Sequence, residues 1–143
     1  MKMPIAGTAV CSAALLISLA ALTGCQTASK PGPGSLAFSS DKAALPTMER
    51  VALAANSCWF KSGDSSFKPY RLAPELNSFS GRPRILVVPA SNPGGRPLLV
   101  VHAEGNPAKV EAFGPLMSNP AGNRIAADVR RWAGGDSSCG GRA

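Results

Sequence analysis

His102 is the first residue to consider for chemistry, because it is the only histidine in the 143-residue chain. It lies near the end of an apolar run, LLVVHAE, and Glu104 would share its face of a strand. A Ser-His-Asp or Cys-His arrangement would need this histidine, but the sequence has no GxSxG turn to present a serine. We therefore predict no catalytic residue. A small hydrolase or transferase that uses His102 is the alternative.

Motifs for metals and nucleotides are also missing from the sequence. It has no CxxC pair and no HExxH helix, and one histidine is too few for an ordinary zinc site. The glycine-rich stretch at 91–97, SNPGGRP, lacks the lysine and the following helix of a phosphate-binding loop. The sequence thus predicts neither a metal nor a cofactor.

The first 25 residues have the pattern of an export signal. Lys2 gives a positive start, and residues 9–22 form an apolar run shorter than the roughly 20 residues needed to cross a bilayer. The run ends in LTGC at 22–25, which resembles the lipobox of bacterial lipoproteins: an apolar residue, two small residues and a cysteine. The resemblance implies cleavage before Cys25, a diacylglycerol thioether on its sulfur and a fatty acyl chain on the new amino group.

This lipobox predicts the location and the domain boundaries. Acyl chains on Cys25 would hold the protein on a membrane, and in the lipoprotein family Gln26 after the cysteine favours the outer membrane, facing the periplasm. Residues 1–24 are then the signal peptide, and residues 25–43, rich in Ser, Pro, Gly and Ala, are the lipidated cysteine and a flexible tether. Residues 44–143 form a single small domain. An ordinary signal peptide with an incidental cysteine and an uncleaved membrane helix are the alternatives.

The predicted cleavage and lipidation also assign a role to each of the four cysteines. Cys11 leaves with the signal peptide and Cys25 carries the lipid, so Cys58 and Cys139 remain in a compartment where disulfides persist. We predict one intramolecular disulfide between them. An intermolecular bridge, or two free thiols that ligate a metal, are the alternatives.

Basic residues are the remaining chemical signal. The chain has a formal charge of +7, of which cleavage removes only Lys2. We expect anionic partners in the envelope, such as lipid headgroups, lipopolysaccharide phosphates, teichoic acid or acidic peptides, and no nucleic acid. The candidate contacts are arginines at strand ends and on the last helix: Arg82, Arg84, Arg96, Arg124 and Arg131. The alternative is that they only solubilise the surface.

Two helices must position these residues. Pro46 suits the first turn of a helix over 46–58, and a second helix over 121–133 stops at two glycines. The second helix has an apolar stripe that ends at Trp132. Asp128 falls on the opposite face, where it can pair with arginines at helical spacing.

Strand-like runs fill the space between the helices. Residues 84–89 and 98–104 are β-branched and apolar, with a loop of hairpin length between them, and residues 109–114 alternate in polarity. Residues 67–80 form one or two more strands, at a sheet edge because of their prolines.

The predicted fold is α+β: a small antiparallel sheet of three to four strands with an N-terminal and a C-terminal helix packed on one face. The order is α-β-β-β(-β)-α, and one disulfide staples it. The predicted function is a lipid-anchored, non-enzymatic module that binds another envelope component through the open sheet face or the arginine-bearing loops. A carrier of an apolar ligand or lipid between sheet and helices is a second alternative.

Overall fold

A computed structural model describes residues 34–140 of the chain. The predicted signal peptide, Cys25 and Gln26 lie outside the described residues, so the lipidation and the location remain predictions. In chain order the strands and helices are β1 Ser35–Ser39, α1 Ala44–Ala55, β2 Tyr70–Glu75, β3 Arg84–Pro89, β4 Leu99–Glu104, β5 Lys109–Phe113 and α2 Gly122–Ala133. A π-helical turn, Asn56–Lys61, continues α1, and short 3₁₀ turns lie at Ser65–Phe67 and Pro115–Ser118.

The strands form one antiparallel sheet in the order β1-β5-β4-β3-β2. The α+β class, the antiparallel sheet and the two helices are confirmed. The predicted strand number and element order were wrong, because residues 34–140 hold five strands and β1 precedes α1. β1 lies in the range predicted as tether. Its sequence, SLAFS, has only five residues and follows a stretch rich in Pro and Gly. It becomes a strand because β5 offers a partner from Ser35↔Phe113 to Ser39↔Lys109.

β2 resolves the ambiguity over residues 67–80. It is one strand, Tyr70–Glu75, and residues 76–83 form the loop of the β2–β3 hairpin. Among the described residues β2 pairs only with β3, so it is an edge strand. Pro74 is tolerated there because an edge strand has one side with no ladder to complete.

One face of the sheet is covered by both helices. Alternate strand residues point into a core that they share with α1 and α2. Fully buried members of this core include Met48, Val51, Ile85, Val87, Leu99, Val101, Val110, Ile125 and Val129. We call this side the helix-covered face and the other side the open face.

The predicted disulfide is confirmed. Cys58 in the π-helical turn is bonded to Cys139 in the tail after α2, with the two Cα atoms 5.2 Å apart and a separation of 81 positions in the sequence. A bridge of this kind typically stabilises a domain by about 2–4 kcal/mol. It fastens the tail to the end of the first helix.

Candidate binding surface on the open face

Strand register arranges the open face into rows of side chains. One row, set by the pairs between neighbouring strands, is apolar and consists of Ala73, Leu86, Val100 and Phe113. The next row is charged and consists of Glu75, Arg84, His102 and Glu111. Two residues further along β4, on the same face, Glu104 is paired with Lys109 of β5, and this pair is charged as well. The open face therefore changes from apolar to charged along the strands.

His102 stands at the centre of the charged row. Its Nε2 atom lies 3.2 Å from a carboxylate oxygen of Glu111, on the neighbouring strand. Its Nδ1 atom is buried and has no hydrogen-bond partner among the described residues. The edge of the ring packs on Phe113, with 5.8 Å between the ring centroids. Both ring nitrogens are thus either paired or out of reach of a solute.

Two arginines of the open face are already paired with carboxylates. Arg82 binds Glu104 at 2.7 Å, and Arg84 donates a hydrogen bond to Glu75. The side chains of the first pair are 58% and 44% exposed, so water screens the attraction between them. Exposed pairs of this type contribute about 0–1 kcal/mol. They make the surface polar without giving it a net positive charge.

A pocket of about 330 Å³ opens on this face. It is lined by Ser80, Arg82, Arg84, Val100, His102 and Phe113. Phe113 is 42% exposed, which leaves much of an aromatic ring uncovered beside two arginines. Aromatic residues and arginine are the types most enriched at protein interfaces.

The β2–β3 hairpin loop forms one wall of this surface and carries a fully exposed phenylalanine, Phe79. The Ser78 and Ser80 hydroxyl oxygens are 2.6 Å apart, and the Gly81 N–H donates to the Ser78 carbonyl at 3.1 Å. Gly81 has φ of +66°, a conformation in which a side chain would be strained. This tight turn holds Phe79 at the tip. A hollow beside it, of about 470 Å³, shares Arg84 with the open-face pocket.

The other predicted arginine contacts lie elsewhere. Arg96 is exposed in the β3–β4 loop and has no ion-pair partner within residues 34–140. Arg124 and Arg131 lie on α2 and pair with Asp64 and Asp128 beneath the helices. The structure therefore brings Arg82 and Arg84 together on the open face and does not bring the other three to them.

Asp128 is the centre of a charged network on the helix-covered side, where sequence periodicity placed it on the exposed face of α2. It is 2% exposed, and the indole N–H of Trp59 donates to its Oδ2 atom at 2.8 Å. Arg131 binds its other oxygen, and Arg124 lies 3.7 Å from it. The prediction missed this because the indole N–H comes from the π-helical turn, which is distant in sequence.

Asp64 extends the network toward the 3₁₀ turn before β2. Burial opposes its ionisation, but hydrogen bonds from the Arg124 guanidinium and the Ser66 N–H outweigh burial and hold its pKa below the usual value. Asp64 as a whole is only 7% exposed. This part of the molecule thus uses its charges to join α2 to the segment after α1.

An apolar groove of about 480 Å³ lies between α1 and β2. Its walls include Ala52 and Leu53 of α1 and Leu72 and Leu76 near β2, and Leu53 is 71% exposed. The space between the helices and the sheet is filled by buried side chains, among them the stacked rings of Trp59 and Phe67. An apolar ligand would therefore fit the surface groove better than the interior.

Between residues 34 and 140, no three His, Cys, Asp or Glu side chains stand together as metal ligands would. The same residues include no helix that is both long and apolar enough to cross a membrane. No family model, curated protein or solved structure matches the chain.

Proposed function

We propose that the protein is a lipid-anchored, non-enzymatic module of the cell envelope that binds another envelope protein through its open sheet face. The observation that carries the proposal is the pocket beside Phe113, which shares Arg84 with a second hollow lined by the fully exposed Phe79. An exposed aromatic side chain on a helix-free sheet face, with a second one on the adjoining hairpin loop, is typical of a surface that a partner covers. The proposed anchor is Cys25, and the proposed location is the periplasmic side of the outer membrane.

The pairing of the charges favours a protein partner over an anionic polymer at this surface. A phosphate-rich polymer would have to displace Glu104 from Arg82 and Glu75 from Arg84. A protein can instead cover Phe113 and Phe79 and leave the two ion pairs at the rim of the interface, where they stay solvated and need not be broken.

The geometry of His102 favours binding over catalysis. A general base needs a free nitrogen within hydrogen-bond reach of a substrate proton. Glu111 occupies Nε2, and the protein itself covers Nδ1. Ser80 shares the pocket, but its hydroxyl lies 2.6 Å from the Ser78 hydroxyl. A hydrolase or transferase based on His102 is therefore the weaker candidate.

The apolar groove between α1 and β2 supports a carrier as a second candidate, since Leu53 and Leu76 would contact a hydrocarbon chain there. Mass spectrometry of lipid extracted from the purified full chain tests it. A stoichiometric lipid that is lost on Leu53→Asp would establish the carrier. A protein free of lipid would exclude it.

Membrane fractionation tests the anchor. The wild-type chain is expected in the membrane fraction, and Cys25→Ser in the soluble fraction or uncleaved. Mass spectrometry of the wild-type N-terminal peptide should find acyl groups on Cys25. A wild-type chain that has been cleaved but carries no acyl mass would overturn the anchor.

Site-specific photo-crosslinking in cells tests the binding surface. A benzophenone amino acid placed at Phe79 or Phe113 should give a discrete adduct with an envelope protein. Leu45 is the matched control, because it is 42% exposed, as Phe113 is, but lies on α1. Adducts from Leu45 alone, or from none of the three positions, would contradict the proposed surface.

A further inference from the structure

The antiparallel sheet has two ends that differ in charge. At one end β1 and β2 begin and β3 and β5 finish, as the pairs Ser35↔Phe113 and Tyr70↔Pro89 show. We call this the entry end, because Gly34, the first described residue, lies there against Ser118. At the opposite end lie the β2–β3 hairpin loop and the β4–β5 turn, and we call this the hairpin end.

The entry end carries four exposed cations that have no acidic partner within the described residues. They are Lys61, Lys68, Arg71 and Arg96. Lys61 closes the π-helical turn that follows α1, Lys68 precedes β2, Arg71 lies in β2 and Arg96 lies in the loop between β3 and β4. The acid nearest in sequence to Lys61 and Lys68, Asp64, is buried and paired with Arg124. Glu75 and Glu104, the acids nearest in sequence to Arg71 and Arg96, are paired with Arg84 and Arg82.

The rest of the described chain is electrically balanced. Apart from the four cations and the Asp64–Arg124 pair, residues 34–140 contain seven basic and seven acidic side chains. Several of these are paired with one another, as Arg82 is with Glu104 and Arg50 is with Asp41. The net positive charge of the described domain is therefore concentrated at the entry end.

The same end is tied to the proposed lipid anchor. Cys25 precedes Gly34 by nine residues, and nine residues span at most about 30 Å when fully extended. A flexible chain of that length has a mean span of roughly 15–18 Å. The acyl chains would thus keep the entry end, and not the hairpin end, near the membrane surface.

We infer that the entry end binds the anionic headgroups of the membrane that carries the protein, through Lys61, Lys68, Arg71 and Arg96. This inference rests on the proposed lipid anchor. Each basic residue close to an anionic bilayer strengthens binding several-fold, and the attraction fades beyond about 8 Å at physiological salt. Bound in this way, the domain directs its hairpin end, with Phe79, away from the bilayer and toward a partner.

The lysines provide an internal control for the test. Lys61 and Lys68 lie at the entry end, whereas Lys42 and Lys109 lie near the hairpin end, and all four are exposed. The purified full chain, including any lipid attached to Cys25, is mixed with vesicles. One set of vesicles contains phosphatidylcholine alone, and the other contains phosphatidylcholine and phosphatidylglycerol. An amine-reactive acetylating reagent is applied, and mass spectrometry gives the acetylation rate of each lysine.

We expect phosphatidylglycerol to slow acetylation of Lys61 and Lys68 at least threefold in low salt, and to leave Lys42 and Lys109 unchanged. Sodium chloride at about 0.5 M should remove the effect, because it shortens the screening length. Equal slowing at both ends, slowing only at Lys42 and Lys109, or no slowing would overturn the inference. Protection by dextran sulfate without protection by the vesicles would assign this end to an anionic polymer and would also overturn it.

A charge-reversal pair sharpens the result. Arg71→Glu with Arg96→Glu should abolish the protection of Lys61 and Lys68 by phosphatidylglycerol. Lys42→Glu with Lys109→Glu makes the same change in net charge at the other end and should leave that protection intact. If both pairs act alike, net charge and not the entry end is responsible, and the inference fails.

The lipid on Cys25 is measured on the same sample. A chain without acyl mass refutes the anchor, yet added anionic vesicles can still protect Lys61 and Lys68. A chain with acyl mass whose entry-end lysines are not protected refutes the inference alone.

Discussion

Charged residues occur on both faces of the sheet, but their surroundings differ. On the helix-covered side Asp128 is 2% exposed and is held by Trp59 and Arg131. On the open face the side chains of Arg82 and Glu104 are each about half exposed to water. Removing the partner of a buried, hydrogen-bonded charge destabilises the fold strongly, whereas an exposed pair can be lost at little cost. The first network therefore serves the fold, and the second is available to a partner.

The largest predicted effect is on the buried network. Asp128→Ala leaves the Trp59 indole N–H and the Arg131 guanidinium without their acceptor. We expect the free energy of unfolding to fall by about 3–5 kcal/mol, measured by urea titration at neutral pH. Glu104→Ala, on the open face, is the matched control and should cost less than about 1 kcal/mol. Similar losses in the two variants would remove the distinction between the faces.

The loss of stability at acidic pH should also come from the helix-covered side, through Asp64. The pKa of Asp64 is lower in the folded protein than in the unfolded chain, where it is near 3.9. Such a carboxyl stabilises the fold above its unfolded pKa, and that contribution is lost as the pH falls through the folded pKa. We therefore expect wild-type stability to fall below about pH 4, and Asp64→Asn to show a shallower fall.

Urea titrations at several acidic pH values check this prediction. Asp64→Asn should also be less stable than wild type at neutral pH, by about 1–3 kcal/mol, because it weakens a charge-assisted hydrogen bond to Arg124. Parallel acid profiles of the two proteins would show that Asp64 does not contribute to the acid transition.

The smallest predicted effect is at the centre of the open face. His102→Gln keeps a side chain of similar size that can still hydrogen-bond to Glu111. We expect a change of no more than about 0.5–1 kcal/mol in stability. The yield of the partner crosslinked through Phe79 should not change. If cells that carry only the His102→Gln protein behave like cells that lack the protein, while partner binding and stability are intact, the enzymatic alternative is favoured.

Several parts of this structure follow from short-range sequence patterns. The apolar runs of β3 and β4 and the turn residues between them predict the central hairpin. The Cys58–Cys139 bond is predicted because only these two cysteines remain once Cys11 and Cys25 are assigned to the signal peptide and the lipid. β1 could not be predicted in this way. Its five residues gain their strand structure from β5, whose paired residues lie 70 to 78 positions later in the chain.

The site was only partly visible in the sequence for the same reason. Arg82 and Arg84 were candidates because they flank an apolar strand, but their carboxylate partners lie on other strands or at a register that only the sheet defines. Phe79 gave one signal, a large ring in the polar stretch NSFSG, which is an unusual composition for a turn. Asp128 gave none, because its burial depends on Trp59 packing across from another helix.

The most direct test of the account measures partner capture and stability together in a Phe79→Ala, Phe113→Ala double variant. The lipidated full chain is crosslinked in cells with a general amine-reactive reagent, and the recovered partner is quantified against wild type. We predict that capture falls at least tenfold while the unfolding midpoint in urea barely changes, since neither side chain is part of the core. Undiminished capture by a folded double variant would contradict the assignment of the open face as the binding surface.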